Sequence, residues 1–323
     1  MPWVCTVATR SHLASASTLL TSVVQASPDW RTAVLVVDDH EDDLPDTVPG
    51  ASVVLTATQL GLDEREVRRR GAMFGPLGLA CSLKAPTVRH LVDRHGDAVV
   101  HMDSDSWVLG SLSEVEAAIR RDGVLLTPHL TSPRSRATAG YPVEETFLKY
   151  GVYNAGLVGA GPDDLDFLDW WTDRTRRRCV VAPEQGLNTD QLWLQLAPAY
   201  FRTVVLHRPV INLTWWALYG SDLIWSTDPT SPATGPAGRD GIPAVTDPPR
   251  LDGVPVVHAH FTGIRFRPGG GVVVTDGERA GFPDLGRRPG FRRLCDAYRL
   301  ALDAAETAGG PRPPVPFITL PDG

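Results

Sequence analysis

The sequence predicts an α/β fold in which a mostly parallel central sheet is covered by helices on both faces. Residues 3–9 and 33–37 are nearly continuous apolar runs, which are typical of strands buried on both faces. Between them, residues 11–26 have the spacing of a helix, and strands and helices continue to alternate along the chain. The 323 residues, 42% of them hydrophobic, are sufficient for one large domain. We therefore expect a single domain followed by a C-terminal extension.

The first third of the chain is predicted to supply four strands and the helices that connect them. Ser11 can cap the first helix, because its hydroxyl accepts a hydrogen bond from an unpaired amide of the first turn. The predicted strands are residues 3–9, 33–37, 52–55 and 97–102, and the predicted helices are residues 11–26, 63–70 and 87–95. In open sheets of this class, ligands bind beyond the carboxyl ends of the strands. The residues that follow these strands are therefore candidate binding residues.

The remainder of the chain continues the pattern with shorter elements and longer connections. The predicted helices are residues 114–121, 143–150, 163–178, 188–197 and 291–307, and the predicted strands are residues 124–127, 151–159, 204–206, 210–213 and 254–259. Residues 129–142 follow a strand and are rich in Ser, Thr, Pro and Arg, as expected of a mobile lid. Residues 226–250 are predicted to form an irregular surface loop, and the Pro-rich tail to be poorly ordered.

The composition argues against several classes of protein. A net charge of −7 disfavours nucleic acid as the partner. The cysteines Cys5, Cys81, Cys179 and Cys295 form no C-x-x-C pair, which indicates neither a disulfide framework nor a zinc site and fits a reducing cytoplasm. No apolar run approaches the roughly 20 residues of a membrane span, and the N-terminus lacks the pattern of a secretory signal. We expect a cytoplasmic protein.

Two aspartates, Asp103 and Asp105, follow the fourth predicted strand with Ser104 between them. Residues i and i+2 at a strand end project to the same side, and two carboxylates held that close repel unless a cation lies between them. Hard oxygen ligands suit Mg²⁺ or Mn²⁺, so the pair is a candidate metal site with positions open for substrate phosphates. The alternative is a solvated turn after the strand.

Further polar residues stand at the ends of the predicted strands. Those at the first two strand ends are Thr6, Ala8, Thr9, Asp38 and Asp39. They would line the rim where a ligand binds, although the aspartates could equally be polar strand termini. Lys84 lies in an apolar neighbourhood before the Asp103 strand, where it could reach a phosphate or a sugar hydroxyl, or simply extend to solvent.

Five motifs occur in a fixed order. They are Asp103-Ser104-Asp105, Thr127-Pro128-His129-Leu130, Gly151-Val152-Tyr153-Asn154-Ala155-Gly156, Asp190-Gln191-Leu192-Trp193 and His260-Phe261-Thr262-Gly263. This order resembles the GT-A glycosyltransferases, in particular glycosyltransferase family 8 and a related bacterial group, over roughly residues 3–268. The resemblance implies a GT-A domain at residues 1–268, with a nucleotide-binding half at 1–105 and a donor-sugar and acceptor half at 106–268. Residues 269–323 would then be a C-terminal helix and tail.

The resemblance also implies roles for individual residues. Asp103 and Asp105 would bind Mn²⁺ or Mg²⁺, directly or through the nucleotide ribose, and His260 would complete the protein ligands. The residues implied to contact the nucleotide sugar are Thr6, Ala8, Thr9, Asp38, Asp39, Lys84, Ser104, Asn154, Ala155 and Gly263. Asp190 would hold sugar hydroxyls, and Gln191 would lie near the anomeric carbon.

One position departs from the family pattern. Family 8 enzymes have a lysine where this chain has Phe266, between Arg265 and Arg267. Either arginine could supply the contact to the diphosphate, since a guanidinium binds phosphate oxygens bidentately.

The function that follows is metal-dependent transfer of a hexosyl-type sugar from a nucleotide diphosphate sugar, with a UDP-sugar favoured, to an unknown hydroxyl acceptor. The family analogy favours retention of configuration, for which no strong protein base is needed. Inversion would need a carboxylate to deprotonate the acceptor, with Asp190 as the first candidate and Glu184 as the second. The acceptor could be a glycan, a lipid-linked sugar or a small natural product, and a homo-oligomer is left open.

Three other functions are weighed against this one. A haloacid-dehalogenase-type phosphatase also places D-x-D after an apolar strand, but it requires the motif on the first strand. A nucleotidyltransferase requires a Gly-rich basic loop after the first strand, where this chain has Arg10-Ser11-His12. A non-catalytic nucleotide-sugar-binding protein would not need Asp190 and Gln191.

Overall fold

The structure is a computed structural model that describes residues 1–37, 45–133, 144–218, 221–227, 233–235, 241–266, 272–274 and 288–309. The strands are β1 (Trp3–Ala8), β2 (Arg31–Val36), β3 (Val53–Leu55), β4 (Val99–Met102), β5 (Ser106–Val108), β6 (Val124–Pro128), β7 (Tyr153–Ala160), β8 (Val181–Ala182), β9 (Leu187–Asn188), β10 (Thr203–Val205), β11 (Arg250–Leu251), β12 (Val254–Pro255), β13 (His258–His260), β14 (Ile264–Phe266) and β15 (Val272–Val274). The helices are α1 (Leu13–Ala26), α2 (Glu64–Ser82), α3 (Lys84–His95), α4 (Ser113–Asp122), α5 (Glu144–Tyr150), α6 (Leu165–Arg177), α7 (Ala197–Tyr200) and α8 (Pro289–Gly309).

Seven strands of the described chain form the central sheet in the order β3-β2-β1-β4-β7-β6-β10. Strand β1 pairs in parallel with β2 and β4, β2 with β3, and β6 with β10. Strand β7 is antiparallel to both of its neighbours, β4 and β6, and so runs against the other six. The mostly parallel sheet predicted from the sequence is therefore confirmed.

Helices cover both faces of the sheet. Side chains alternate along each strand, so Val4 and Val100 face one core while Cys5 and Val99 face the other. Helices α1, α4 and α8 contribute to the first core, and α2, α3 and α6 to the second. The nearly continuous apolar runs of β1, β2 and β4 follow from this burial on both faces.

The C-terminal helix α8 is part of the first core. Its residues Leu294, Tyr298 and Ala301 are buried, and they belong to the same cluster as the side chains of α1. The hydroxyl of Thr18 on α1 lies 3.5 Å from the carbonyl of Ala301. Helix α8 thus packs against helix α1.

Helix α2 is longer than predicted. It continues from the predicted segment to Ser82, with a kink where Gly75 adopts φ +70° before Pro76. A proline has no amide hydrogen, so the helix can break there without leaving an amide unpaired. Helix α3 begins at Lys84 rather than at residue 87, which places Lys84 in its first turn.

Three predictions of secondary structure are wrong. Residues 254–259 divide between β12 and β13, which pair in different sheets. Residues 210–213 form no continuous strand, because Asn212 has φ +61°, and Leu213 alone forms a parallel bridge, to Ala259 of β13. The predicted helix 188–197 is replaced by a bend at Thr189, a 3₁₀ helix at Leu192–Leu196, and α7.

One strand was not predicted from the sequence, and some predicted segments lie outside the described residues. Strand β5, which pairs with β13, has no counterpart among the predictions. Much of the predicted lid at 129–142, parts of the loop at 226–250 and the Pro-rich tail lie outside the described residues. Within the described helices, none is long and apolar enough to cross a membrane.

Candidate functional site

A cavity of about 660 Å³ lies beyond the carboxyl ends of β1 and β4. Its walls come from the end of β1, from α2 and α3, from the turn after β4, from the segment after β13, and from α8. The lining residues include Ala8, Thr9, Lys84, Asp103, Asp105 and Tyr298. The cavity occupies the position that the strand directions predict for a ligand.

Asp103 and Asp105 line this cavity, and His260 lies beside them. One ligand atom from each of the three lies within 4.8 Å of the others. The Nε2 atom of His260 is 3.2 Å from Oδ1 of Asp105 and 3.7 Å from Oδ2 of Asp103. The pairing of β13 with β5 places His260 opposite Ser106, and the amide of Phe261 donates to the carbonyl of Asp105. This pairing brings His260 next to the turn that carries Asp103 and Asp105.

The environment of His260 fits a metal ligand. The ring is 4% exposed, and its Nε2 meets the geometry of a hydrogen bond with none of the described residues. Its other nitrogen, Nδ1, is 3.1 Å from Oδ1 of Asn212. A buried imidazole with one nitrogen anchored and the other directed at two carboxylates is the arrangement that a divalent cation requires.

Lys84 joins the carboxylates of two motifs. Its ammonium lies 2.7 Å from Oδ1 of Asp103 and 3.3 Å from Oδ2 of Asp190, and it donates to the carbonyl of Ala155 at 3.4 Å. Burial opposes the ionisation of Asp103, but Lys84, His101 and His260 together outweigh it and lower the pKa of that carboxyl to about 2. Burial also raises the pKa of Asp190, and Lys84 offsets this only in part. Lys84 therefore neutralises the inner edge of the acidic cluster.

Asp190 is held rigidly behind the cavity. It is 1% exposed, its carbonyl accepts from Nε1 of Trp171, and its Oδ1 accepts from the hydroxyl of Thr189. Thr189 has φ +49°, which is unfavourable for a β-branched residue. Backbone strain of this kind concentrates at functional sites, where the surrounding structure maintains it.

Gln191 is tied to the backbone at both ends of its amide. Its Oε1 accepts from the amide of Ala155 at 3.1 Å, and its Nε2 donates to the carbonyl of Tyr150 at 2.9 Å. Gly151 lies against the Gln191 side chain, because a Cβ atom added at Gly151 would be only 3.0 Å from Cγ of Gln191. Gln191, the residue after Asp190, is therefore hydrogen-bonded both to the last residue of α5 and to β7.

Asn154 and Ala155 are buried at the start of β7. The side chain of Asn154 accepts from the amide of Gly156, and the carbonyl of Gly156 accepts from the amide of Asp103. Asn154 thus supports the turn that carries the aspartates.

The predicted nucleoside residues divide into two groups. Ala8 and Thr9 line the cavity, and the Thr9 hydroxyl is 2.8 Å from Nδ1 of His12, whereas Thr6 is fully buried within β1. Ser104 lines the cavity between the two aspartates. Asp38 and Asp39 lie outside the described residues.

The segment after His260 turns along the cavity wall. Gly263 has φ +72°, in the left-handed region that glycine accommodates without strain. Arg265 is exposed and lines the cavity, while Arg267 lies outside the described part of the chain. Phe266, at the position where family 8 enzymes have a lysine, packs near Tyr298 of α8, with ring centroids 5.9 Å apart. Both aromatic side chains line the cavity.

Three residues of the site were not singled out from the sequence. Asn212 contacts His260, Gly156 allows the His260 ring to approach β7, and Tyr298 stacks on Phe261 with centroids 3.8 Å apart. Only Gly156 had a signal, since it stands beside Asn154 in the motif that opens β7. Asn212 and Tyr298 lie in segments whose local pattern indicates only burial.

Comparisons with known proteins agree with this architecture. No family model matches the chain. Over 119 residues, 36% of this chain and 33% of the relative, it is 28% identical to the uncharacterized protein YfnF of Bacillus subtilis (strain 168). Over 223 residues, 65% of this chain and 67% of the relative, it is 24% identical to the uncharacterized protein YfnD of the same organism. The chain thus matches a third of the length of YfnF and two thirds of YfnD.

A solved structure shares the fold. The crystal structure of the galactosyltransferase LgtC, in complex with donor and acceptor sugar analogs, matches with a TM-score of 0.50. The match covers 87% of this chain and 94% of that one at 16% sequence identity. The expected GT-A architecture, with its mixed sheet flanked by helices, is therefore confirmed as the fold of this chain.

Proposed function

We propose that this chain is a metal-dependent glycosyltransferase, which moves a hexosyl-type sugar from a nucleotide diphosphate sugar to an acceptor hydroxyl. The observation that carries the proposal is the cluster of Asp103, Asp105 and His260, whose two aspartates line the cavity beyond β1 and β4. Mn²⁺ or Mg²⁺ is the cofactor, because carboxylate oxygens with one imidazole suit these ions. A UDP-sugar is the favoured donor, by the resemblance to family 8, and the sugar analogs bound by LgtC support a sugar substrate.

The acidic cluster and its neighbours have distinct tasks in this reaction. A divalent cation held by Asp103, Asp105 and His260 would neutralise charge on the leaving diphosphate. Ala8 and Thr9 line the cavity, where they would contact the nucleoside. Asp38 and Asp39, which the resemblance assigns to the same contact, lie outside the described residues. Arg265 lines the cavity and would contact the diphosphate, with Gly263 in the same segment. Arg267, the other candidate for this contact, lies outside the described residues. Lys84, 2.7 Å from Asp103 and 3.3 Å from Asp190, would offset the negative charge of these carboxylates beside the donor.

The transfer breaks the bond between the anomeric carbon and a diphosphate oxygen and forms a bond from that carbon to the acceptor oxygen. The acceptor hydroxyl must also lose its proton. With retention of configuration, the acceptor approaches on the face that the diphosphate leaves, so a diphosphate oxygen can take the proton. Gln191, fixed between Tyr150 and Ala155, then shapes the opposite face of the sugar.

Inversion would assign the proton to a protein carboxylate. Asp190 is the first candidate, but it is 1% exposed and lies beside Lys84. Glu184, the second, is exposed on the segment before β9. To lose its proton to Asp190, an acceptor hydroxyl would have to reach a buried carboxylate that already contacts the ammonium of Lys84. This supports retention.

The test is a thermal-shift panel of UDP-, GDP- and dTDP-sugars, each with and without Mn²⁺. We expect one nucleotide class to raise the melting temperature only when the metal is present, because a ligand that binds the native state stabilises it. Asp105→Ala should abolish the shift, and Asp166→Ala, at an exposed position on α6, should leave it unchanged. The absence of a metal-dependent shift with every sugar would reject the proposal.

Product analysis separates transfer from binding alone. A transferase releases free sugar slowly when water replaces the acceptor, and this release should require Mn²⁺ and be lost in Asp105→Ala. A binding protein would show the thermal shift without release. Phosphatase activity would instead yield inorganic phosphate, which we do not expect, because the motif follows β4 and not the first strand.

A further inference from the structure

Asn212 contacts both histidines of β13. It is 8% exposed and has φ +61°, a conformation that asparagine tolerates better than most residues. Its Oδ1 lies 3.1 Å from Nδ1 of His260, and its backbone amide donates to Nδ1 of His258 at 3.1 Å. Its Nδ2 donates to the hydroxyl of Thr127 on β6 at 2.7 Å. The left-handed turn is what allows one residue to make all three contacts.

The backbone carbonyls around Thr127 indicate the direction of the hydrogen bonds between Thr127, Asn212 and His260. The other neighbours of the Thr127 hydroxyl are the carbonyl oxygens of Asn154 and Leu157, each at 3.4 Å, and a carbonyl can only accept. The hydroxyl oxygen accepts from Nδ2 of Asn212 at 2.7 Å, which leaves the single hydroxyl hydrogen for one of the two carbonyls. That leaves Oδ1 of Asn212 facing His260 as an acceptor.

An acceptor opposite Nδ1 favours a hydrogen on Nδ1 of His260, and a cation that neutralises Asp103 and Asp105 removes the opposing preference for a hydrogen on Nε2. In the neutral ring Nε2 is then the atom with the free lone pair, and Nε2 is the atom nearest Asp103 and Asp105. The reverse amide orientation would direct two N–H groups at Nδ1 and place the ring hydrogen on Nε2, against the cation. The partner of the remote ring nitrogen commonly sets the tautomer of a metal-binding histidine.

We propose that Asn212 is a positioning residue, which with Thr127 holds His260 in the Nδ1–H form so that Nε2 binds the metal. The inference rests on the proposed metal site but concerns a residue that contacts neither metal nor substrate. The chain of bonds begins at backbone carbonyls of β7, the strand whose Gly156 lies against the His260 ring. The sheet itself thus determines which nitrogen of His260 is available.

The first measurement needs no metal. Long-range proton–nitrogen NMR of histidine-labelled protein, at a pH where the ring is neutral, reports which nitrogen of His260 carries the hydrogen. We expect a larger fraction of the Nδ1–H form in the wild-type chain than in Asn212→Gly, which keeps the backbone conformation without strain. Asp105, 3.2 Å from Nε2, favours the other form in both proteins, so the difference between them reports the effect of Asn212. Equal fractions in the two proteins would overturn the proposal.

The second measurement is Mn²⁺ affinity by calorimetry. Asn212→Gly should weaken binding about 10–100-fold, as for other partners of metal-bound histidines. Asn212→Asp keeps the acceptor and tolerates the same φ, so it should restore most of the affinity. Thr127→Val, which removes the group that orients the amide, should fall between. Asp252→Gly, at an exposed residue with φ +50°, is the matched control and should bind like wild type.

The outcomes distinguish this inference from the proposed function. If the wild-type chain binds no Mn²⁺, the metal site fails, and the NMR measurement still decides the role of Asn212. If the wild-type chain binds Mn²⁺ and Asn212→Gly binds it equally with an unchanged tautomer, the role of Asn212 is refuted while the metal site stands.

Discussion

The α-carbon of Gly156 lies against the imidazole of His260, and a methyl group there would be 2.2 Å from Cε1 and 2.4 Å from Nδ1. Real side-chain carbons do not come so close to a ring. The same methyl carbon would lie 2.8 Å from Oδ1 of Asn154, so it could not avoid the ring by moving towards Asn154. The absence of a side chain at residue 156 is thus a condition for the meeting of His260 with Asp103 and Asp105.

Gly156→Ala should displace His260 and weaken Mn²⁺ binding about 10–100-fold, the range seen when a metal-bound histidine loses its support. Overpacking should also lower the free energy of unfolding by about 1–3 kcal/mol. Calorimetry with Mn²⁺ and urea unfolding measure the two effects. The control is Gly161→Ala, where the new carbon meets its neighbours at ordinary distances of 3.5 and 3.6 Å. Equal Mn²⁺ affinity in both variants would contradict the role given to Gly156.

Lys84→Met should lower the free energy of unfolding at neutral pH by about 3–5 kcal/mol, since it leaves two carboxylates without their buried counter-ion. Lys149→Met, at an exposed lysine, controls for the loss of a positive charge. Adding Asp190→Asn should recover part of the loss, because the amide carries no charge. Urea unfolding of the four proteins measures these differences.

The Lys84 effect should also depend on pH. The folded pKa of Asp103, about 2, lies below the unfolded value of about 3.9. Its contribution is therefore present above pH about 4 and is lost as the pH falls through about 2. The difference between wild type and Lys84→Met should shrink over that interval, and a constant difference would show that the lost stability comes from packing.

His101→Leu should make the protein less sensitive to acid. Burial, and then the charge of Lys84, lower the pKa of His101 to about 3, compared with about 6.5 in the unfolded chain. Protonation therefore favours the unfolded state, and wild-type stability falls as the pH drops from about 6.5 towards 3. Removing the group should reduce that slope by up to about 1.4 kcal/mol per pH unit.

His101→Leu should cost no stability at neutral pH, because both ring nitrogens are buried without a hydrogen bond to any described residue. His101→Gln separates the two effects, since it removes the titration and keeps a buried polar group. Urea unfolding between pH 4 and 7 tests both variants. A slope unchanged in the two would refute the effect of His101 on acid stability.

Gln191→Met should reduce transfer while it preserves Mn²⁺-dependent nucleotide binding. It deletes the two bonds to Tyr150 and Ala155, which should cost about 1–3 kcal/mol because a buried backbone group loses its partner. The start of β7 would then lose its connection to the Asp190 segment, whereas the metal cluster is untouched. Calorimetry and product analysis measure binding and transfer, and Gln185→Met, at an exposed glutamine, is the control. Loss of both binding and transfer would place Gln191 in the nucleotide site.

Local patterns predicted the elements that form the sheet. The apolar runs of β1, β2 and β4 show burial on both faces, and that property depends on the residues of each strand alone. The predictions failed where tertiary contacts outweigh local preference. Residues 210–213 have strand composition, yet Asn212 turns into the left-handed region to contact His260, His258 and Thr127.

By itself the sequence determined the α/β class and the strand that ends before Asp103, because these depend on periodicities of a few residues, and the ordered motifs predicted His260 as a partner of the two aspartates. The tertiary structure decided that Asp103 and Asp105 belong to the turn between β4 and β5, that His260, 155 residues after Asp105, lies 3.2 Å from it, and that Lys84 faces Asp190 as well as Asp103. It also decided that Phe266 packs near Tyr298 of α8. Such distances arise only when the helices and both cores pack on the sheet, and no local pattern encodes them.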